Sequence, residues 1–133
     1  MNTVYAREDY LGADDYIDIV AKSGLNRPIE DRGRVERMLA HANLILTARQ
    51  DGRLVGFARS LTDFCFCCYL SDLAVDKACQ GQGIGRRLIE ETRAAAGGPL
   101  TTTLLLSAPT AMTFYQGIKM PNADNCFLYR RKR

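Results

Sequence analysis

Residues 70–87 read LSDLAVDKACQGQGIGRR, and the fold turns on this stretch. Its first part has the composition of a strand, a short polar turn comes next, and the run after Gln80 tightens into a glycine-rich loop that opens a helix. Gly81, Gly83 and Gly85 are preceded by Gln80 and followed by Arg86 and Arg87. Free backbone N–H groups at a helix start, under positive charge, form a seat for phosphate. Glycine lets a phosphate oxygen approach the backbone closely. A tight strand-to-helix turn with no ligand is the alternative, but such a turn does not need three glycines at this spacing.

Two common phosphate motifs are excluded. A P-loop places a lysine directly after its last glycine, and none follows here. The dinucleotide fingerprint needs G-x-G-x-x-G, whereas Gly81, Gly83 and Gly85 alternate.

Upstream of the loop, Thr3 to Arg7 reads as a first strand. Asp14 to Ser23 reads as an amphipathic helix stopped by Gly24, and Asn26-Arg27-Pro28 breaks the chain. A second helix is expected from Asp31 to His41; the histidine, the only one, reads as a helix-terminus charge or surface residue before it reads as a catalyst. Leu44 to Arg49 and Arg53 to Ser60 form a hairpin around Asp51-Gly52, and Cys68 to Val75 extends it to a meander. A helix from Gly83 to Ala96 ends at Gly97-Gly98-Pro99. Leu100 to Ser107 is then expected parallel to Leu70–Val75, by a right-handed crossover. A short helix over Thr110 to Gln116 and a closing strand over Cys126 to Arg131 complete the reading. The expected fold is α/β: a single domain over residues 1–133, with a mixed, mostly antiparallel sheet flanked by helices.

Composition fits that class, with 47% hydrophobic and 25% charged residues. The net charge of +3 is concentrated at the end: without Arg130, Arg131, Lys132 and Arg133 the chain carries 14 positive against 15 negative residues. The tail reads as a solvated end first and a polyanion contact second, and a nucleic-acid partner is not expected. No apolar run approaches the ~20 residues of a membrane span and the N-terminus lacks a signal pattern, so a cytoplasmic protein with no membrane partner is expected. The five cysteines lack the spacing of a disulfide framework or a zinc site. Cys65, Cys67 and Cys68 are expected as small buried hydrophobes, and no metal is expected.

Gln80-Gly81-Gln82-Gly83-Ile84-Gly85, following Leu73-Ala74-Val75 and opening a helix, resembles the Q-x-x-G-x-G motif of the GCN5-related N-acetyltransferase family. The element order and the Phe114-Tyr115 pair extend the resemblance over essentially the whole chain. It implies acetyl-CoA as cosubstrate and a primary amine, small-molecule or peptide, as acceptor; a homodimer would be unsurprising. By position, Leu73, Ala74 and Val75 would pair with the pantetheine arm as an added strand, with the Val75 N–H as oxyanion donor. Gln80 through Arg87 would hold the pyrophosphate: Gln80, Gly81, Gln82, Gly83, Ile84 and Gly85 through the loop, with charge from Arg86 and Arg87.

The family also implies Tyr115 as the general acid for the departing thiolate, a phenol pKa of ~10 lying above the ~8.5 of a thiol. A packing aromatic is the alternative. No carboxylate stands on the strand after the loop and helix, which leaves Asp72 as candidate base, or else a hydrogen-bonding strand-end aspartate. The asparagine the family carries seven residues before the tyrosine is Ala108 here, with Ser107 as a weak substitute, and the usual later glycine is Lys119. The acceptor pocket would be shaped by the first two helices, the Gly24–Asp31 connection and the turn after Tyr115. Asp14, Asp15, Glu30 and Asp31 are there either a lure for a cationic amine or solvated surface. A non-catalytic CoA-binding or sensing module is the competing function.

Overall fold

The computed structural model describes residues 2–132. Five strands lie in sequence order, β1 (Val4–Arg7), β2 (Leu44–Gln50), β3 (Arg53–Thr62), β4 (Cys67–Val75) and β5 (Thr102–Leu104). The first four pair antiparallel and β5 joins β4 in parallel. Asp51 and Gly52 both take left-handed conformations (φ 52° and 78°), so the β2–β3 hairpin closes in the tight turn whose twist matches its strands.

Helices cover both faces. On one, α1 (Ala13–Ser23) and α2 (Arg32–His41) set Tyr16, Ile19, Val20 and Val35 against Ile45, Phe57 and Ala74. Gly24, at φ 84°, ends α1. The Asp31 carboxylate caps α2 by accepting the Arg34 N–H at 3.1 Å. On the other face, α3 (Ile84–Ala95) lays Ile84, Leu88 and Ile89 over Leu44, Leu46, Val55 and Leu70. The alternation of β2 supplies both cores, because successive side chains leave opposite faces of a strand.

Three expectations fail at the far edge of the sheet. The fifth strand is three residues long, because Gly98–Leu100 is spent in a 3-10 turn and pairing stops at Leu104. It pairs with Cys67–Tyr69, not with Leu70–Val75. Cys126–Arg131 forms no strand, and the side chains of Phe127 and Tyr129 stand in solvent. Cys65 and Cys67 are exposed, whereas Cys68 and Cys79 are buried. The reason is local: the Asp63 carboxylate accepts the N–H groups of Cys65, Phe66 and Cys67 and turns the chain there. The last helix, α4 (Met112–Gly117), comes after a 3-10 turn and ends where Lys119 adopts φ 60°. The Lys119 N–H bonds the Gln116 carbonyl at 3.0 Å, so the exit turn forms without the usual glycine.

β4 bends at a defined place. Arg59 faces Asp72 and Ser60 faces Leu70, which leaves Ser71 without an opposite residue. Such an extra residue kinks a strand and re-aims the residues beyond it. The kink is clamped by charge. Asp72, fully buried, accepts from Arg27 Nε at 2.6 Å, from Arg59 Nε at 2.6 Å and from the Tyr16 hydroxyl at 2.8 Å. Arg27 Nη2 also donates to the Ser71 carbonyl at 2.6 Å, and Arg59 Nη2 to the Ser71 hydroxyl at 3.1 Å. Burial pushes the Asp72 carboxyl up, but the hydrogen bonds and charges of Arg59 and then Arg27 outweigh it and hold it below the usual carboxylate range. Burial, then the Asp72 charge, push the Tyr16 phenol well above its ordinary value, so it stays a donor.

Removing one member of such a cluster strands the others without compensation. Asp72→Asn is therefore expected to lower stability by about 3–5 kcal/mol, read by urea denaturation at neutral pH; a change within experimental error would show that the clamp carries no structural load.

Candidate active site

After Tyr69 and Leu104 the parallel strands separate, and β4 runs on to Val75 with one edge open. The Asp76 N–H bonds back to the Val55 carbonyl at 2.9 Å, so the alternation of an antiparallel pair turns Ala74 and Asp72 toward β3 and Val75, Leu73 and Ser71 toward the gap. Two bonds on that side agree: Arg27 takes the Ser71 carbonyl, and Gln80 Nε2 donates to the Val75 carbonyl at 3.0 Å. The Leu73 amide lies between them, with the Val75 N–H beside it.

The gap belongs to a cleft of about 640 Å³. Leu73 and Val75 form one wall, the Gln80–Gly85 loop one end, and Ala108 with Phe114 and Tyr115 the opposite side. Ser23 to Asn26, at the exit of α1, close the fourth side.

At the loop end, Gly81 and Gly83 take φ 82° and 81°, and nothing stands within 4 Å of where a Cβ would be at either. No side chain caps α3, whose first internal bond runs from the Arg87 N–H to the Gly83 carbonyl at 3.0 Å. Gln80 and Gly81 form a tight turn that engages the Gln82 N–H, and among the described residues the N–H groups of Gly81 and of Gly83 to Arg86 have no partner. Gly85 differs: a methyl group there would come within 2.9 Å of Phe114 Cζ, so this glycine lets α4 close on α3.

Tyr115 is brought to the cleft by that contact. Its ring meets Phe114 edge-on at 5.0 Å between centroids and packs partly on the α3-side core. Burial pushes its phenol above the ordinary value, while the Arg27 guanidinium pulls weakly the other way. Among the described residues its hydroxyl has no hydrogen-bond partner within the protein.

The remaining expected residues divide. Leu73, Val75, Gln80, Gly81, Gly83, Ile84, Gly85 and Tyr115 line the cleft. The Ala74 side chain is buried in the opposite core and its backbone faces β3. The Gln82 side chain turns back to accept from Gln50 Nε2 at 3.2 Å. Arg86 pairs with Glu90 at 3.2 Å; Arg87 pairs with Glu91 at 3.3 Å and lies 4.7 Å over the Tyr5 ring. Ser107 Oγ donates to the Ala108 carbonyl at 2.8 Å and does not reach the cleft. Asp72 faces away from it, sealed between two guanidinium groups, which removes the carboxylate from proton transfer as a free base. Of the four residues of the expected acidic lure, Asp14 pairs with Arg32 at 2.6 Å and Asp31 caps α2.

Sequence reasoning missed Arg27, Gln50 and Cys79, although it expected the Gly24–Asp31 connection to shape the pocket, and Gly24, Leu25 and Asn26 line the cleft. Arg27 stood only as part of a chain break, and nothing near it in sequence announces Asp72. Among the described residues no group of His, Cys, Asp and Glu is placed to hold a metal, and no helix is long and apolar enough to cross a membrane.

Known proteins share this arrangement. Residues 41–118 match the profile of an acetyltransferase (GNAT) domain. Serotonin N-acetyltransferase 2, chloroplastic, of Oryza sativa subsp. japonica is 32% identical over 124 residues, 87% of this chain and 61% of that protein. The chain thus spans about three-fifths of that relative's length. An acetyltransferase of Streptococcus pneumoniae TIGR4, described as a GNAT family protein, superposes with a TM-score of 0.75 at 18% identity, covering 99% of this chain and 100% of that one. The aminoglycoside enzyme AAC(6')-Iy, in complex with a CoA-based bisubstrate analogue, does so with a TM-score of 0.72 at 13% identity and full coverage of both chains. These two likenesses are of fold; the profile match, over more than half the chain and spanning the loop, the open strand and Tyr115, places the protein in the GNAT acetyltransferase family.

Proposed function

We propose that the protein moves an acetyl group from acetyl-CoA to a primary amine, by direct attack of the amine on the thioester. The observation that carries this reading is the set of unpartnered N–H groups at Gly81 and from Gly83 to Arg86, opening onto a cleft whose far side holds Tyr115. A pyrophosphate supplies the acceptors such a set lacks, and the dipole of α3 adds to the attraction. The cleft offers the matching polar edge for a pantetheine arm at Leu73 and Val75. Because Gln80 already holds the Val75 carbonyl, the Val75 N–H and the Leu73 amide are the groups left for the ligand. Acetyl-CoA, when bound, supplies the activated acetyl group; the remaining roles belong to the chain.

In this reading the Val75 N–H stabilises the developing oxyanion, and the Tyr115 hydroxyl protonates the departing thiolate. Arg86 and Arg87, each paired to a glutamate, contribute diffuse positive charge in place of direct phosphate contacts. Asp72 acts by position, holding the bend of β4. Among the described residues no carboxylate or imidazole lines the cleft, so in this reading the acceptor's proton leaves through water. That same observation favours the second reading, a module that binds CoA without transfer, which a panel of amines assayed for acetylated product separates from the first.

Isothermal titration of acetyl-CoA is expected to give micromolar affinity, and Gly83→Val, which forces a β-branched residue to φ 81°, is expected to weaken it at least about tenfold. No heat with the parent protein would remove the reading. Tyr115→Phe is expected to lower kcat by roughly 100-fold or more with little change in the KM for acetyl-CoA; an unchanged kcat would reassign the tyrosine to packing. With no base facing the cleft and the Tyr115 proton held above its usual range, kcat/KM is expected to rise about tenfold per pH unit between roughly pH 6 and 9, tracking deprotonation of an amine with pKa ~10. A plateau near neutrality would reveal a protein base.

A further inference from the structure

The free edge of β4 is not free along its whole length. Ser71, Leu73 and Val75 face the gap, and a side chain already occupies the carbonyl at each end of this row. Gln80 Nε2 takes the Val75 carbonyl at 3.0 Å, and Arg27 Nη2 takes the Ser71 carbonyl at 2.6 Å. The two caps differ in kind. Gln80 is exposed and holds by one bond. Arg27 is mostly buried, and each of its guanidinium nitrogens donates: Nε to Asp72 at 2.6 Å, Nη1 to the Asn26 carbonyl at 2.7 Å, and Nη2 to Ser71.

The Arg27 cap stands at the end of the row away from the glycine loop. Ser71 lies between Leu73, which faces the cleft, and Tyr69, where pairing with β5 stops. A second cavity opens at this fork, with Tyr69 and Leu106 on its walls and Arg27 at its inner end, and Asn26 lines both cavities. An amine that enters from the fork therefore passes Arg27 before it reaches Leu73.

An extended peptide binds an open sheet edge by adding a strand about 4.8 Å away, whose N–H groups take the edge carbonyls. At Ser71 the guanidinium fills the place of that N–H. Displacing it would take a cation from the fully buried Asp72 carboxylate and release the kink of β4. That costs far more than one or two backbone hydrogen bonds return.

Resting on the acetyltransferase reading above, we infer that Arg27 determines specificity by closing the fork end of β4 to extended peptides, so that the acceptor is a compact small-molecule amine. Such an amine needs no strand pairing and passes the cap without moving it.

A length series tests this on the full chain with acetyl-CoA: alaninamide, its tripeptide amide and its pentapeptide amide, beside a panel of arylalkylamines, polyamines and amino sugars. In the parent, kcat/KM is expected not to rise with peptide length, and the best small amine is expected to exceed the best peptide about tenfold or more. Arg27→Lys keeps a cation for Asp72 but lacks the planar fork that reaches Ser71 at the same time. In that variant the ratio of pentapeptide to alaninamide is expected to rise about tenfold, the return of one or two added backbone hydrogen bonds. A purely structural loss would lower both substrates alike and leave the ratio unmoved. A rise with length in the parent, a peptide equal to the best small amine, or an unchanged ratio in the variant would each overturn the inference. Backbone amide shifts of Tyr69, Ser71 and Leu73, recorded by NMR as the pentapeptide is added with CoA present, read the edge without turnover. They are expected to stay still in the parent and to move in the variant, and movement in the parent would equally overturn it. Absence of any acetylated product therefore counts against the acetyltransferase reading alone. If the variant does not fold, the parent's length series and amide shifts still decide.

Discussion

The ion cluster at Asp72 is the constraint on which the site depends. Two arginines from distant parts of the chain and a tyrosine from α1 converge on one buried carboxylate. Burying three charges is costly, and an apolar core of similar volume would often be as stable. What the cluster supplies here is placement. It fixes Ser71 in the extra position of β4, and from there the strand leaves its parallel neighbour and presents Leu73 and Val75 to the cleft. The same contacts tie α1 and the α1–α2 connection to the sheet, so facing walls of the cleft share one anchor.

The elements whose signals are local were legible in the sequence. Asp51-Gly52 and Gly24 each act within a few residues, and the structure uses them as the pattern implies. The glycine loop was legible for the same reason, since two of its glycines answer a backbone demand that only the chain around them sets. The closing strand was not. Its run of apolar and aromatic residues suits a strand, but a strand needs a neighbour with free hydrogen-bonding groups, and β5 offers only three residues. The cysteine run failed through Asp63, whose carboxylate takes three successive N–H groups and makes a turn where β-propensity favoured extension.

Within the site, proximity along the chain located the residues but could not assign their work. Asp72 has the right address for a base and the wrong surroundings, and those surroundings come from 45 positions before it and 13 positions before it. Arg86 and Arg87 follow the glycine loop, yet a glutamate one helical turn on engages each of them. Gln80 and Gln82 belong to one motif but serve opposite ends of the loop, one fastening it to β4 and the other to the end of β2 through Gln50. Such assignments depend on side chains meeting in space, which spacing alone does not encode.

The contact between Gly85 and Phe114 carries a consequence for how this site can change over evolutionary time. The start of α3 and the helix that carries Tyr115 touch with no room for a methyl group. Residue 85 and residue 114 therefore cannot drift independently: a side chain gained at one requires volume lost at the other, or the hydroxyl of Tyr115 moves relative to the loop. In lineages descended from this chain the two positions should covary in volume, whereas Gly81 and Gly83, which touch nothing, are held by backbone conformation alone and leave no such paired trace.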